Sequence, residues 1–276
     1  MGERLPIVRI ADLCHATEEA VRQDAPFHGA SMARSFAIMM DPQAFADLET
    51  VTDRARSFRA RGERFLGLQG QLIRATILLT LVRHLGIDAF IETGTQRGYT
   101  SLLFLCQTSL RVFSSERDPR FHRFAKTLLS PFDGRASLYA GDSRPFIRLM
   151  MNDESITTPF FYLDAHGNGL GLPLNAELME ILGCKRRTRF LVAIDDFKIP
   201  WDSEYRHDVY SDGTIDLDYI SLSTHSTNVE LAMWLPKYAA AAESGYTTGF
   251  ILIAPQSMRV EVETLIPGHL LQEVGC

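Results

Sequence analysis

The sequence predicts an α/β chain: a mostly parallel open sheet with helices on both faces, preceded by a helical N-terminal segment. From Gly62 onward, short apolar runs alternate with stretches of helical periodicity, the rhythm of strand–helix–strand units. The central runs are unbroken by polar residues, as strands buried on both faces require. Size and composition agree. The chain has 276 residues, 46% of them hydrophobic and 22% charged, which excludes long disorder or a fibrous repeat. A chain of this length can bury a sizeable core.

Residues 1–62 are mixed and polar, with helical patches, and read as an N-terminal helical extension or lid. Residues 63–276 form the main domain. Asp41 is placed to cap a helix running through Phe45, Leu48 and Val51. Arg54, Arg56, Arg59, Arg61 and Arg64 crowd the following stretch and read as a solvated helix face or hinge. A long helix is expected over 65–85. The strands that follow are Ala89-Phe90-Ile91, Val112-Phe113-Ser114, Ala136-Ser137-Leu138-Tyr139, Phe160-Phe161-Tyr162-Leu163 and Phe190-Leu191-Val192-Ala193-Ile194. Helical periodicity separates them at about 98–108, 119–130, 143–151 and 174–184. Residues 200–214, rich in Asp, Tyr and His, read as a loop over the site. A helix near 215–224, a strand at 230–235, a helix at 236–244 and a strand at 250–254 complete the pattern.

Composition narrows the partners. Twenty-eight Lys and Arg against thirty-four Asp and Glu give a net charge of -6, so no global attraction draws the chain to nucleic acid or anionic lipid. The four cysteines, Cys14, Cys106, Cys184 and Cys276, are far apart and form no CxxC pair, which reads as free thiols in a reducing compartment. Residues 1–21 lack the unbroken apolar stretch of a signal peptide. The most apolar helical stretch, 65–85, contains Gln69, Gln71, Arg74, Arg83 and His84, which argues against a membrane span. A cytoplasmic protein is expected.

Ligands of open α/β sheets bind outside the carboxyl ends of the strands. Here those ends read Glu92-Thr93-Gly94, Glu116, Gly141-Asp142-Ser143, Asp164-Ala165-His166 and Asp195-Asp196, and every one carries an acid. In Glu92-Thr93-Gly94-Thr95-Gln96-Arg97-Gly98-Tyr99-Thr100-Ser101, Gly94 permits a tight turn and Gly98 a close ligand approach at a helix start. The third glycine of the dinucleotide fingerprint is absent. Glu116 stands 22 residues after Gly94, a spacing suited to ribose hydroxyls, whether of NAD or of S-adenosylmethionine (SAM). Asp142 can accept from an amino group such as that of adenine, or cap a helix. Asp164 and the Asp195-Asp196 pair should crowd together at neighbouring strand ends. Three such carboxylates call for a hard divalent cation between them. His166 is a candidate general base or metal neighbour.

This ordered set of five strand ends resembles the class I SAM-dependent methyltransferases. The closest likeness is to metal-dependent small-molecule O-methyltransferases of the macrocin type. The resemblance covers about 65–255 and implies a Rossmann-like, seven-stranded sheet whose last strand is antiparallel. It implies that Glu92, Gly94 and Gly98 line the methionine part of SAM, with Thr93, Thr95, Thr100 and Ser101 in the same cofactor loop. Glu116 would bind the ribose and Asp142 with Ser143 the adenine, while Asp164 borders the cofactor. Asp164, Asp195 and Asp196 would hold Mg²⁺ or another divalent cation, and His166 with Asp164 would carry the catalytic step. The chain departs from the family at His166, where macrocin-type enzymes carry an acid.

The expected partner is a small-molecule acceptor such as a sugar, polyketide or catechol, framed by Tyr205, His207, Asp208 and Tyr210. No nucleic acid or membrane partner is expected, and a homo-oligomer is allowed. Three other readings compete. A nicotinamide-dependent oxidoreductase lacks its third glycine and an evident Tyr-xxx-Lys pair. A metal-dependent glycosyltransferase fits Glu116 and the early glycine turn less well. A non-catalytic SAM-binding scaffold would not need the acidic trio.

Overall fold

A computed structural model describes residues 8–21, 29–166, 172–211, 213–227 and 229–275. Helices α1 (Ile10–Val21), α2 (Gly29–Met40), α3 (Val51–Ala60) and α4 (Leu72–His84) precede the sheet. The next elements are β1 (Ala89–Thr93), α5 (Tyr99–Gln107), β2 (Arg111–Glu116), α6 (Pro119–Leu129), β3 (Ala136–Ala140) and α7 (Ser143–Asn152). They are followed by β4 (Pro159–Leu163), α8 (Leu174–Leu182) and β5 (Leu191–Ile194). The chain then forms a small hairpin, β6 (Val209–Tyr210) with β7 (Gly213–Thr214), and α9 (Leu217–His225). It closes with β8 (Leu231–Pro236), β9 (Ile251–Pro255), α10 (Arg259–Leu265) and β10 (Leu271–Val274).

The main sheet runs in the order β10-β8-β9-β5-β4-β1-β2-β3. Strands β1 to β5 pair in parallel, and β9 lies antiparallel to both β5 and β8. Every residue of β1, β4, β5 and β9 is buried, because these strands sit mid-sheet with helices on both faces. Edge strands β3 and β10 are partly exposed. The order reverses between β1 and β4, so the crevice for a ligand opens there. α1 packs along α6 and α2 against α5, and Phe36, Met39, Phe45 and Val51 join the same continuous core as the sheet.

The structure alters four expectations. The sheet has eight strands instead of seven, because Leu271–Val274 pairs with the outer edge of β8. The 65–85 helix begins only at Leu72. Gly67, Leu68, Gln69 and Gly70 all have positive φ (88°, 44°, 56° and 77°), a run no right-handed helix accommodates. Asp41 caps only a 3-10 turn, Pro42–Phe45, by accepting from Gln43 N at 2.9 Å. Asp47 then accepts from Glu49 N at 2.9 Å, making a second turn before α3. The expected 236–244 helix is reduced to a 3-10 turn at 240–242. Glu243 is drawn inward, where it accepts from Ile73 N (3.1 Å) and Arg74 N (2.9 Å) and so caps α4.

The arginine-rich stretch is mostly paired locally: Arg56 with Asp53, Arg61 with Glu63, Arg54 with carbonyls of 43–44 and Arg59 with the Ala241 carbonyl. No helix among the described residues is long and apolar enough to cross a membrane.

Candidate active site

A cavity of about 1260 Å³ opens over the carboxyl ends of the parallel strands. The turn after β1 forms its floor. Gly94 has φ +82°, and a Cβ there would stand 2.3 Å from the Asp164 carbonyl oxygen, so only glycine lets the β1 and β4 ends meet. Gly98 (φ +80°) starts α5, packed against Ala125. Glu92 is buried beneath this turn, with Oε2 accepting from Ser101 Oγ (2.6 Å) and Ser114 Oγ (2.7 Å). Burial pushes its carboxyl up to about 7, against the pull of the two hydroxyls. Thr95 bonds Ser114 at 2.5 Å, and Thr100 Oγ1 accepts from Leu68 N at 3.1 Å, anchoring the 67–70 turn. Ser115 Oγ is buried at the end of β2 without a partner among the described residues.

Glu116 lines the cavity at the end of β2. Its oxygens accept from Gln96 N and Asp118 N, each at 2.7 Å, which fixes the carboxylate between two loops. Asp142 caps α7 by accepting from Arg144 N at 2.9 Å. The Arg144 hydrogen bond holds its carboxyl down at about 2. Asp142 and Ser143 both border the cavity.

The β4 and β5 ends sort the acids into two sets. Asp195 points inward. Its Oδ1 accepts from Arg74 Nη1 (2.6 Å), Thr248 Oγ1 (3.0 Å) and Asp196 N (2.7 Å). Its Oδ2 accepts from Tyr162 Oη at 2.5 Å, and Arg74 Nη2 bonds the same phenol at 2.9 Å. Arg74 and Asp195 are 0% and 1% exposed. Burial opposes the Asp195 charge, but Arg74 more than offsets it and holds the carboxyl below its ordinary range.

Asp196 has φ +50°, and this left-handed turn sends its side chain the other way, into the cavity. There His166 Nε2 lies 3.4 Å from Asp164 Oδ1 and 3.5 Å from Asp196 Oδ2. One ligand atom from each of Asp164, His166 and Asp196 lies within 4.8 Å of the others. The structure thus gathers His166 with Asp164 and Asp196, and engages Asp195 with Arg74. The His166 side chain is 2% exposed, and its Nε2 reaches the two carboxylates only at these long distances. Burial and the neighbouring carboxylates of Asp195 and Asp196 push Asp164 well up. Burial and then Asp195 raise Asp196. Burial lowers His166, but the adjacent Asp196 outweighs it, so the imidazole is shifted upward. Two carboxylates and an imidazole nitrogen, crowded and under-paired, suit a divalent cation or a proton-accepting histidine.

Of the loop after β5, Tyr205 is buried with its hydroxyl on the Tyr238 carbonyl (2.9 Å), so it serves packing. Tyr210 donates to Asp208. His207 and Asp208 border a second cavity of about 500 Å³. Arg74, Gln69, Glu177 and Arg206 join or border the site without belonging to any strand-end motif. Glu177 is buried on α8 and raised to about 7 by burial. Its signal was present: it lies on the apolar stripe of Leu174, Leu178 and Ile181. Arg74 likewise stands among the buried apolar residues Leu72, Ile73, Ala75, Ile77 and Leu78 of α4.

No protein-family model matches the chain, and no curated protein matches it in sequence. Solved structures do share the fold. The O-methyltransferase from Bacillus cereus, determined in complex with SAH, superposes with a TM-score of 0.50 at 14% identity, covering 90% of this chain and 100% of that one. An O-methyltransferase from Streptomyces achromogenes involved in tomaymycin synthesis, determined with SAM, gives 0.48 at 16% identity, covering 76% and 91%. The likeness is one of fold: the chain has the Rossmann-like α/β architecture seen in a methyltransferase.

Proposed function

We propose that the protein is a SAM-dependent methyltransferase that methylates a hydroxyl of a small-molecule acceptor, assisted by Mg²⁺ or another divalent cation. One observation carries the reading. The cleft at the sheet's switch point, with Gly94 in its floor and Glu116 in its wall, ends on the Asp164–His166–Asp196 cluster.

The residues suit the cofactor. Glu116 presents a fixed carboxylate for ribose hydroxyls, and Asp142 with Ser143 borders the position for adenine. Ser115 Oγ, which borders the cavity, retains unused hydrogen-bonding capacity at the end of β2. Asp164 and Asp196 would hold the cation, which supplies a Lewis acid that acidifies and orients the acceptor hydroxyl. Two carboxylates plus water satisfy Mg²⁺.

In the proposed reaction the acceptor oxygen attacks the methyl carbon. The C–O bond forms as the C–S bond breaks, and the electron pair stays on sulfur. The hydroxyl proton passes to His166 Nε2. Asp164 and Asp196, 3.4 and 3.5 Å away, stabilise the imidazolium that results. Alignment in the walled cleft contributes up to roughly 7–11 kcal/mol.

The test is transfer of labelled methyl from SAM to hydroxylated acceptors. The reading expects a methyl ether product, loss of rate with a chelator, and a fall of about 10²–10⁴-fold in His166→Asn. Mn²⁺ affinity that survives in His166→Asn assigns the base role, and affinity lost there makes His166 a third ligand. Absence of a methylated product from every acceptor would leave a binding protein without turnover.

A further inference from the structure

Asp196 and Gln69 border two cavities, the main cleft and the second cavity between residues 203–209 and the 246–248 segment. We propose that this second cavity is the acceptor site, and that Arg206 makes it selective for hydroxylated acceptors that also carry a carboxylate. The proposal rests on the methyltransferase reading.

Position supports the assignment. An acceptor must reach the Asp196 end of the cleft without displacing the cofactor, and the second cavity meets Asp196 from outside that cleft. Its volume, about 500 Å³, suits a single-ring or monosaccharide acceptor. The walls are tied to the site by backbone bonds. Asp208 N donates to the Asp196 carbonyl (3.1 Å), Arg206 N to Thr247 O (3.1 Å) and Gly249 N to Arg206 O (3.0 Å).

Charge gives the selectivity. Asp196 and Asp208 make one part of the lining acidic, and Arg206 supplies the cation. The Arg206 guanidinium stacks 4.5 Å from the Tyr246 ring centroid, and Nη1 donates to Tyr246 Oη at 2.9 Å. Other exposed arginines, such as Arg56, Arg61, Arg144 and Arg148, each have a carboxylate partner. Among the described residues Arg206 forms no ion pair; its partners are an aromatic face and a phenol. A stacked, backbone-anchored guanidinium with donors to spare is preorganised for a carboxylate. An acceptor bound this way turns its hydroxyl to Asp196 and its carboxylate to Arg206.

The experiment measures binding by calorimetry in the presence of SAH and Mg²⁺. The probes are 3,4-dihydroxybenzoate and galacturonate, each against its methyl ester. At least one acid should bind about tenfold or more tightly than its ester, and Arg206→Gln should erase the difference while leaving SAH affinity and ester affinity unchanged. Arg206→Lys should restore part of it. Equal binding of acids and esters, no binding of any probe, or a preference that survives Arg206→Gln would overturn the proposal. SAH affinity, read in the same titrations, judges the methyltransferase reading separately.

Discussion

Asp195 and Asp196 are neighbours in sequence and opposites in environment. Asp195 is sealed under the strand ends with Arg74, Tyr162 and Thr248 around it. Asp196, turned by its left-handed backbone, faces the cleft beside Asp164 and His166 and is raised instead of lowered. One carboxylate has its cation built into the fold; the other is crowded against like charge. Glu92 shows a third solution: among the described residues no cation stands beside it, and burial pushes it towards the neutral acid. Paired charge marks architecture, and under-paired charge at a cleft marks the place where a ligand must complete the balance.

The largest effect expected comes from breaking the built-in pair. Arg74→Met leaves Asp195 buried without its cation and should cost about 3–5 kcal/mol of stability, read by denaturant unfolding. Arg74→Met combined with Asp195→Leu should cost less than Arg74→Met alone, because no buried charge is left. A larger loss in the double variant would mean that the pair does more than neutralise itself.

A pH series sharpens the contrast with Glu92. Its carboxyl moves from an ordinary 4.5 to about 7 in the fold, so folding favours the protonated acid. That contribution is complete below about pH 4.5 and is lost as pH rises through about 7. It amounts to something on the order of 3 kcal/mol. Glu92→Gln should flatten stability across that window, in thermal melts from pH 4.5 to 8. Glu177, also raised to about 7, adds a parallel share that remains.

The smallest change in stability belongs to Asp196→Asn. Asparagine tolerates the left-handed backbone and removes a repelling charge. Unfolding should shift by no more than roughly 0.5 kcal/mol, or towards higher stability. Divalent-cation affinity and methyl transfer should both be lost. Large destabilisation would place Asp196 with Asp195 as architecture.

The sheet was legible because two-sided burial writes apolar runs such as Phe160-Phe161-Tyr162-Leu163 directly into the chain. The site's address was legible too, since an acid closes β2, directly follows β4 and β5, and stands one residue before the end of β1. What stayed hidden depends on residues distant in sequence. Which aspartate faces the cleft is decided by Arg74, 121 residues before Asp195, and by one positive φ at Asp196. Glu243, 169 residues after Arg74, likewise caps α4 and dissolves the helix periodicity suggested near 236–244. β10 is four residues at an edge, too short for alternation to announce it.

If the cleft over β1 and β4 holds SAM, calorimetric titration of the protein with SAH alongside NAD⁺ will show it. SAH should bind saturably, Gly94→Val should abolish that binding, and NAD⁺ should not bind. Binding of NAD⁺ without SAH would contradict it and return the fold to the dinucleotide oxidoreductases.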